Sequence, residues 1–145
     1  MNTERLILES KNCKAVNIGL LYDLFDYSYL DSRLGTEIRG KVFLGEKLKT
    51  TGAEISFQIL PPQTSIPFSH YHIENEEIYI FLKGKGEFQV DNDRFSIEEG
   101  SVIRVSPEGR RTWKNTSASL MIFIVIQVKE NSLDKFYNDD GVKVE

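Results

Sequence analysis

The chain has little cysteine, little histidine and no excess of basic charge. It contains one cysteine, Cys13, and two histidines among 145 residues. A single cysteine excludes an internal disulfide framework and is typical of a reducing compartment, so we expect a cytoplasmic protein. The 18 Lys and Arg residues stand against 22 Asp and Glu residues, which leaves a net charge of −4. We therefore expect no nucleic-acid partner, because nucleic-acid-binding proteins usually carry a basic face.

Long apolar runs are also missing. The longest covers residues 120–126, which is far short of the roughly 20 residues that a membrane-spanning helix needs. The first five residues do not lead from a basic region into an apolar stretch, so we expect neither a secretory signal nor a membrane partner. With 40% hydrophobic and 28% charged residues, the composition is typical of one soluble globular domain over residues 1–145.

Short runs of alternating or β-branched residues follow one another from about residue 40 onward. Turn-forming residues such as Gly84, Asp91, Gly100 and Pro107 separate them. The predicted strands cover residues 54–59, 77–82, 87–90, 94–97, 101–105 and 120–128. Short strands at this spacing predict an all-β, antiparallel sandwich or barrel.

The two flanks of the chain lack the pattern of short strands that is found from about residue 40 to residue 128. Residues 17–30 carry several leucines and predict an N-terminal arm, either an edge strand with a helical turn or an irregular segment. Residues 132–137 predict a short C-terminal helix with Ser132 as its N-cap.

The strand predicted over residues 120–128 is apolar on both faces. Ile122, Ile124 and Ile126 alternate with Met121, Phe123 and Val125, although a strand of an antiparallel sheet usually keeps one polar face for water. Something must therefore cover the second face. Two candidates remain open: the N-terminal arm, or the partner subunit of a symmetric homodimer.

Both histidines fall within one short segment. His70 and His72 are two residues apart, so their rings project from the same face of an extended strand. Glu77 follows five residues later and would converge with them if the two strands formed a hairpin. Two imidazoles and one carboxylate form a metal-ligand set that leaves coordination positions open. The alternative is a solvated histidine pair with a strand-end charge.

This segment resembles the first motif of the cupin superfamily. In that motif a His-x-His pair is followed by three or four residues, a Glu, six residues and a Gly, and the spacing of His70, His72, Glu77 and Gly84 agrees with it. The Gly that usually precedes the first histidine by six positions is replaced by Thr64.

The second cupin motif is matched in part. Gly100, Gly109 and Asn115 stand at similar places, but the histidine of that motif is missing, and Arg111 or Thr112 occupies its place. Arg111 offers only hydrogen-bond donors and cannot ligate a cation. The ligand set of the family is thereby reduced from three histidines and a glutamate to two histidines and the glutamate.

The resemblance implies a jelly-roll barrel with its core at about residues 40–128, which in this family is often dimeric. It implies a divalent transition metal (iron, manganese, zinc, nickel or cobalt) in the barrel lumen, held by His70, His72 and Glu77. We expect the ligand-binding residues to be Arg111, Tyr79, Phe81 and Trp113.

Three positions of Arg111 remain open. It could bind an anionic group of a substrate beside a bound metal. It could instead pair with Glu77 and replace the charge of the metal, or face solvent with its charged neighbours.

The functions implied are accordingly three. The first is an enzyme that binds a metal and a small organic molecule, anionic in the case where Arg111 contacts it, with oxygenation, isomerisation or decarboxylation as the reaction. The second is a non-catalytic module, with or without metal, that binds a sugar or an acid. The third is a structural protein, and the fold alone does not choose among them.

Overall fold

The computed structural model of the chain describes residues 4–136 and 140–144. Within these ranges lie twelve strands, a 3₁₀ helix at Leu21–Asp26 and a single helical turn, α1, at Gly45–Leu48. The strands are β1 (Arg5–Ser10), β2 (Cys13–Asn17), β3 (Ser28–Asp31), β4 (Thr36–Arg39), β5 (Lys41–Phe43), β6 (Glu54–Leu60), β7 (Asn75–Lys83), β8 (Lys85–Val90), β9 (Asp93–Glu98), β10 (Val102–Val105), β11 (Arg111–Asn115) and β12 (Met121–Lys129).

The barrel is built from two sheets. One has five strands in the order β10-β7-β12-β6-β5, and the other has three strands in the order β11-β8-β9. All neighbouring strands are antiparallel. The chain passes from the first sheet to the second at Gly84, whose φ of +99° favours glycine. The predicted all-β, antiparallel jelly roll is confirmed.

The space between the two sheets is filled by aromatic and branched side chains. In β7 and β12, alternate residues point inward and are buried, including Tyr79, Phe81 and Phe123. Phe88 of β8 stacks on Trp113 of β11 with ring centroids 5.4 Å apart and an interplanar angle of 8°. Burying one such side chain stabilises the fold by about 1.5–3 kcal/mol, so these residues hold the sheets together.

The outer face of the five-stranded sheet is covered only in part. Ile122 is buried against Leu24 of the 3₁₀ helix and Tyr27, which follows that helix. Ile124 and Ile126, farther along β12, are only half-buried. The N-terminal arm therefore covers one end of this apolar face and leaves the rest open.

The flanks differ from the sequence prediction. The N-terminal arm begins with a hairpin of β1 and β2 and continues into the 3₁₀ helix. The C-terminal helix predicted over residues 132–137 is not found: residues 132–136 contain no helix, and Tyr137 lies outside the described residues. The Ser132 hydroxyl donates a hydrogen bond to the Lys129 carbonyl at 2.6 Å. It closes a turn with this bond and does not cap a helix.

Among the residues that the structure describes, none belongs to a helix long and apolar enough to cross a membrane. The cytoplasmic location and the expected absence of membrane and nucleic-acid partners stay predictions.

Candidate metal and ligand site

The histidine segment lies against β11. His70 and Arg111 form an isolated antiparallel bridge in which each N–H donates to the carbonyl of the other, at 3.1 and 2.9 Å. The His72 N–H donates to the Pro107 carbonyl at 2.9 Å. The histidine segment therefore does not form a hairpin with the strand of Glu77. Because β7 lies across the lumen from this segment, Glu77 still meets both imidazoles, but from a different sheet.

The two histidines and Glu77 converge on one point of the lumen. Glu77 Oε1 lies 3.4 Å from His70 Nε2 and 3.1 Å from His72 Nε2. One ligating atom from each of the three residues lies within 4.8 Å of the other two. Glu77 is 5% exposed, while both histidines are partly exposed. The group is thus seated in the barrel wall and open on one side.

These separations suit a shared metal ion. Bonds of about 2.0–2.1 Å to nitrogen and oxygen place neighbouring ligand atoms roughly 2.8–3.4 Å apart at octahedral or tetrahedral angles. His72 Nε2 is buried and has no hydrogen-bond partner, although Glu77 Oε1 lies 3.1 Å away. A buried nitrogen of this kind is costly unless it finds a partner, and a metal ion would be one. The donor set therefore fits a divalent transition metal.

Glu77 is held as an anion. Burial raises its pKa, but contacts with His70, His72 and Tyr79 outweigh burial and hold the pKa below its ordinary value. The Tyr79 hydroxyl donates to Glu77 Oε1 at 2.6 Å. Burial and the Glu77 charge raise the pKa of Tyr79 well above its ordinary value, so the hydroxyl keeps its proton and fixes the carboxylate in place.

Arg111 lies next to Glu77 but, unlike Glu77, does not line the cavity beside the histidines. It is fully buried, which excludes the alternative that it faces solvent. Its Nη2 donates to the Ser106 carbonyl at 2.9 Å, and its Nε lies 3.9 Å from Glu77 Oε1. Nε and Nη1 have no hydrogen-bond partner. The positive guanidinium therefore partly balances the negative charge of Glu77, as in the ion-pair alternative.

A cavity of about 140 Å³ opens beside the two histidines and Glu77. Of the four expected ligand-binding residues, Trp113 lines it. Arg111, Tyr79 and Phe81 are buried behind it, and ligand contact by these three stays a prediction.

Other lining residues were not foreseen from the sequence. Lys41 and Phe43 of β5, Gln58 of β6, and Tyr29 and Arg33 around the β3–β4 turn face this cavity. One signal was available, since Ser56 and Gln58 alternate with apolar neighbours in the strand predicted over residues 54–59. We expect a polar face to point to water, but here it is buried and points into the barrel.

Comparisons with known proteins agree with this geometry. A cupin-domain family model matches residues 56–127. A cupin protein of Bacteroides fragilis, of known crystal structure, is 39% identical, with a TM-score of 0.69 over 72% of this chain and 89% of that chain.

Two further relatives are more distant. The structure of a predicted oxalate decarboxylase from Thermotoga maritima is 22% identical, with a TM-score of 0.59 over 71% of this chain and 90% of that one, and supports the fold alone. An uncharacterised protein of Methanocaldococcus jannaschii is 33% identical over 51 residues, which are 35% of this chain and 41% of that protein. The chain thus spans about two fifths of the curated relative that it matches.

The extent of the Bacteroides match, together with the jelly roll and the placement of the first-motif residues on its inner wall, is sufficient to assign the family. The chain belongs to the cupin family.

Proposed function

We propose that the protein binds one divalent transition metal through His70, His72 and Glu77 and acts on a small organic molecule in the adjoining cavity. The observation that carries the proposal is that both histidines of the chain meet a buried carboxylate with their ligating atoms within 4.8 Å. Iron, manganese, zinc, nickel and cobalt all accept this donor set. The bound metal would supply polarisation of a substrate oxygen or activation of dioxygen.

The residues around the ligands have separate tasks. Tyr79 donates to Glu77 and thereby orients the carboxylate, as partners of metal ligands commonly do. Trp113, Phe43 and Phe68 form apolar walls of the cavity and exclude water from a bound molecule. Oxygenation, isomerisation and decarboxylation remain the proposed reaction classes, and the Thermotoga protein described as a predicted oxalate decarboxylase belongs to the last of them.

The alternative function is metal-free binding of a small sugar or acid. The position of Arg111 favours it, because a guanidinium 3.9 Å from the Glu77 carboxylate already supplies positive charge there. A buried cation close to a divalent metal is unfavourable unless an anion lies between them. Here the Glu77 carboxylate is that anion, so Arg111 does not by itself exclude a metal. The affinity of the protein for a metal ion therefore decides between the two functions.

Zinc titration of untagged protein, followed by NMR of the imidazole signals, tests the proposal. The chain has only two histidines, so every imidazole signal reports on the site. We expect both to shift and to saturate at one equivalent of zinc, and Glu77→Gln to weaken the affinity at least tenfold. Glu74→Gln removes an exposed carboxylate three residues away and should change the affinity less than twofold. Unshifted imidazoles, or equal affinities in the two variants, would favour the metal-free alternative.

We also propose that a second copy of the chain covers the open part of the sheet face. Val102 is 65% exposed at the edge of this face, and Leu6 and Leu8 of the N-terminal hairpin are 54% and 50% exposed. A two-stranded hairpin is marginally stable alone. A two-fold axis would bring each hairpin onto the face of the other chain and bury both surfaces. Light scattering should give the mass of a dimer, and Leu6→Lys should shift it towards the monomer.

A further inference from the structure

The positive charges around the cavity are balanced except at one residue. The Arg33 guanidinium lies 2.7 Å from an Asp31 carboxylate oxygen, and Arg111 faces Glu77 at 3.9 Å. Lys41 also lines the cavity, yet no carboxylate of the described residues lies within 4 Å of its ammonium group. The wall therefore carries one uncompensated positive charge.

The ammonium group of Lys41 is half-buried and packs against aromatic rings. Its Nζ lies 4.7 Å from the centroid of the Phe43 ring and 5.9 Å from that of the Tyr29 ring. Burial lowers the pKa of Lys41, while the more distant charge of Glu77 acts in the opposite direction. Contacts with ring faces return only part of the lost hydration. Lys41 is only half-buried, so an anion in the cavity would replace the part of the hydration that its ammonium group has lost.

Strand pairing places Lys41 on the same inner surface as the metal-binding residues. Lys41 of β5 is paired with Gln58 of β6, and both side chains line the cavity that His70, His72 and Glu77 also line. An anion at Lys41 would therefore share this cavity with the three candidate ligands. The Gln58 amide adds a neutral hydrogen-bonding group beside it.

The charge and the volume of the cavity restrict the anion. In the metal-free cavity, one unbalanced positive charge matches one negative charge, which a carboxylate carries, whereas a phosphate monoester carries nearly two at neutral pH. The cavity of about 140 Å³ is smaller than the roughly 300–1,000 Å³ of pockets for drug-sized ligands. Both restrictions favour a compact monocarboxylate.

We propose that Lys41 is a ligand-binding residue that holds the carboxylate of a small organic monoacid in the cavity beside His70, His72 and Glu77. The inference rests on the proposed function, because it takes this cavity as the substrate site. It adds the chemical class of the ligand and assigns the anion contact to Lys41, for which Arg111 was one candidate in the sequence.

Tryptophan fluorescence of metal-free protein tests the proposal, after the chelator has been removed by dialysis. Trp113 is the only tryptophan of the chain and lines the cavity. The probes are propionate and propionamide, which have the same shape and differ by one charge, and inorganic phosphate. We expect a saturable change with propionate and a Kd at least tenfold lower than for propionamide or phosphate.

The matched variants are Lys41→Met and Lys85→Met. Lys85 is exposed and does not line the cavity, so its replacement should change the propionate Kd less than twofold. Lys41→Met should raise that Kd at least tenfold. Equal binding of propionate and propionamide, tighter binding of phosphate, or an unchanged Kd in Lys41→Met would overturn the proposal.

If Lys41→Met does not fold, the comparison of propionate with propionamide on the unaltered chain still tests whether the cavity binds a negative charge. Because the titration is carried out without metal, a negative result removes the Lys41 site alone. Metal binding by His70, His72 and Glu77 is decided separately, by the zinc titration.

Discussion

Replacing Glu77 by Gln should destabilise the metal-free protein strongly. The substitution keeps the shape of the side chain and an oxygen that can accept the Tyr79 hydrogen bond, but it removes the negative charge that faces Arg111. Arg111 is fully buried and cannot turn to water. The variant therefore leaves a buried guanidinium without a counter-charge.

The size of the effect follows from the geometry. At 3.9 Å and an effective dielectric constant of about 20, the attraction between Glu77 and Arg111 is about 4 kcal/mol. Removing one partner of a buried ion pair typically costs about 3–5 kcal/mol, which agrees with that value. Small domains have a total free energy of unfolding of about 5–15 kcal/mol. We therefore expect Glu77→Gln to lose a large fraction of the stability.

Urea unfolding of chelator-treated protein, followed by Trp113 fluorescence, measures this loss. Glu76→Gln is the matched control, because Glu76 pairs with Arg104 at 2.6 Å but the Arg104 side chain is 54% exposed. Water can solvate Arg104 after the substitution, so the control should lose no more than about 1 kcal/mol.

A double variant, Glu77→Gln with Arg111→Met, should recover most of the stability, since replacing both partners by uncharged groups is often nearly neutral. Equal losses in Glu77→Gln and Glu76→Gln would refute the reasoning. They would show that Arg111 does not depend on the Glu77 charge.

Two further predictions concern the fold around the site. Gly86→Ala should cost about 1–3 kcal/mol or more in urea unfolding, because the new Cβ would clash with the Lys114 carbonyl oxygen of the paired strand; Gly52→Ala, with open space around it, should cost far less. The hydrogen bonds from Arg33 hold the pKa of Asp31 below its ordinary value, against the effect of burial. A lowered folded-state pKa stabilises the fold above the ordinary pKa of aspartate, about 4. The stability difference between the unaltered chain and Asp31→Asn should accordingly be constant from pH 6 to 8 and shrink as the pH falls below about 4; a difference that grew in acid would contradict this.

The predicted strands agree with the observed ones to within a few residues where apolar side chains alternate. Residues 54–59 and 120–128 were predicted, and β6 and β12 occupy Glu54–Leu60 and Met121–Lys129. The strands β5 and β11 were not predicted. β11, Arg111–Asn115, has charged and polar residues at most of its positions. It forms a strand because β8 and the histidine segment supply its hydrogen-bond partners.

The direction in which a strand turns its polar face could not be read from alternation. The alternation of β6 shows that one face is polar, but not that Ser56 and Gln58 face the lumen and that Phe57 faces outward. Hydrophobic periodicity shows that the two faces of a strand lie in different environments, but it does not show which face is turned to the lumen and which to the outside. In a barrel with a polar cavity and an apolar covering arm, the inner face is the polar one near the mouth. Lys41 was not foreseen as a lining residue of the cavity because its strand, β5, was not predicted.

The sequence by itself determined the strand-rich architecture, the family resemblance and the three candidate metal ligands, because these depend on local periodicity and on short spacings such as that from His70 to Glu77. Only the tertiary structure decided which groups surround those ligands. Arg111 reaches Glu77, and Lys41 reaches the cavity, through strands that pair across long separations in the chain. Charge balance in a buried site is a sum over neighbours in space, and those neighbours are known only when the sheets have closed around it.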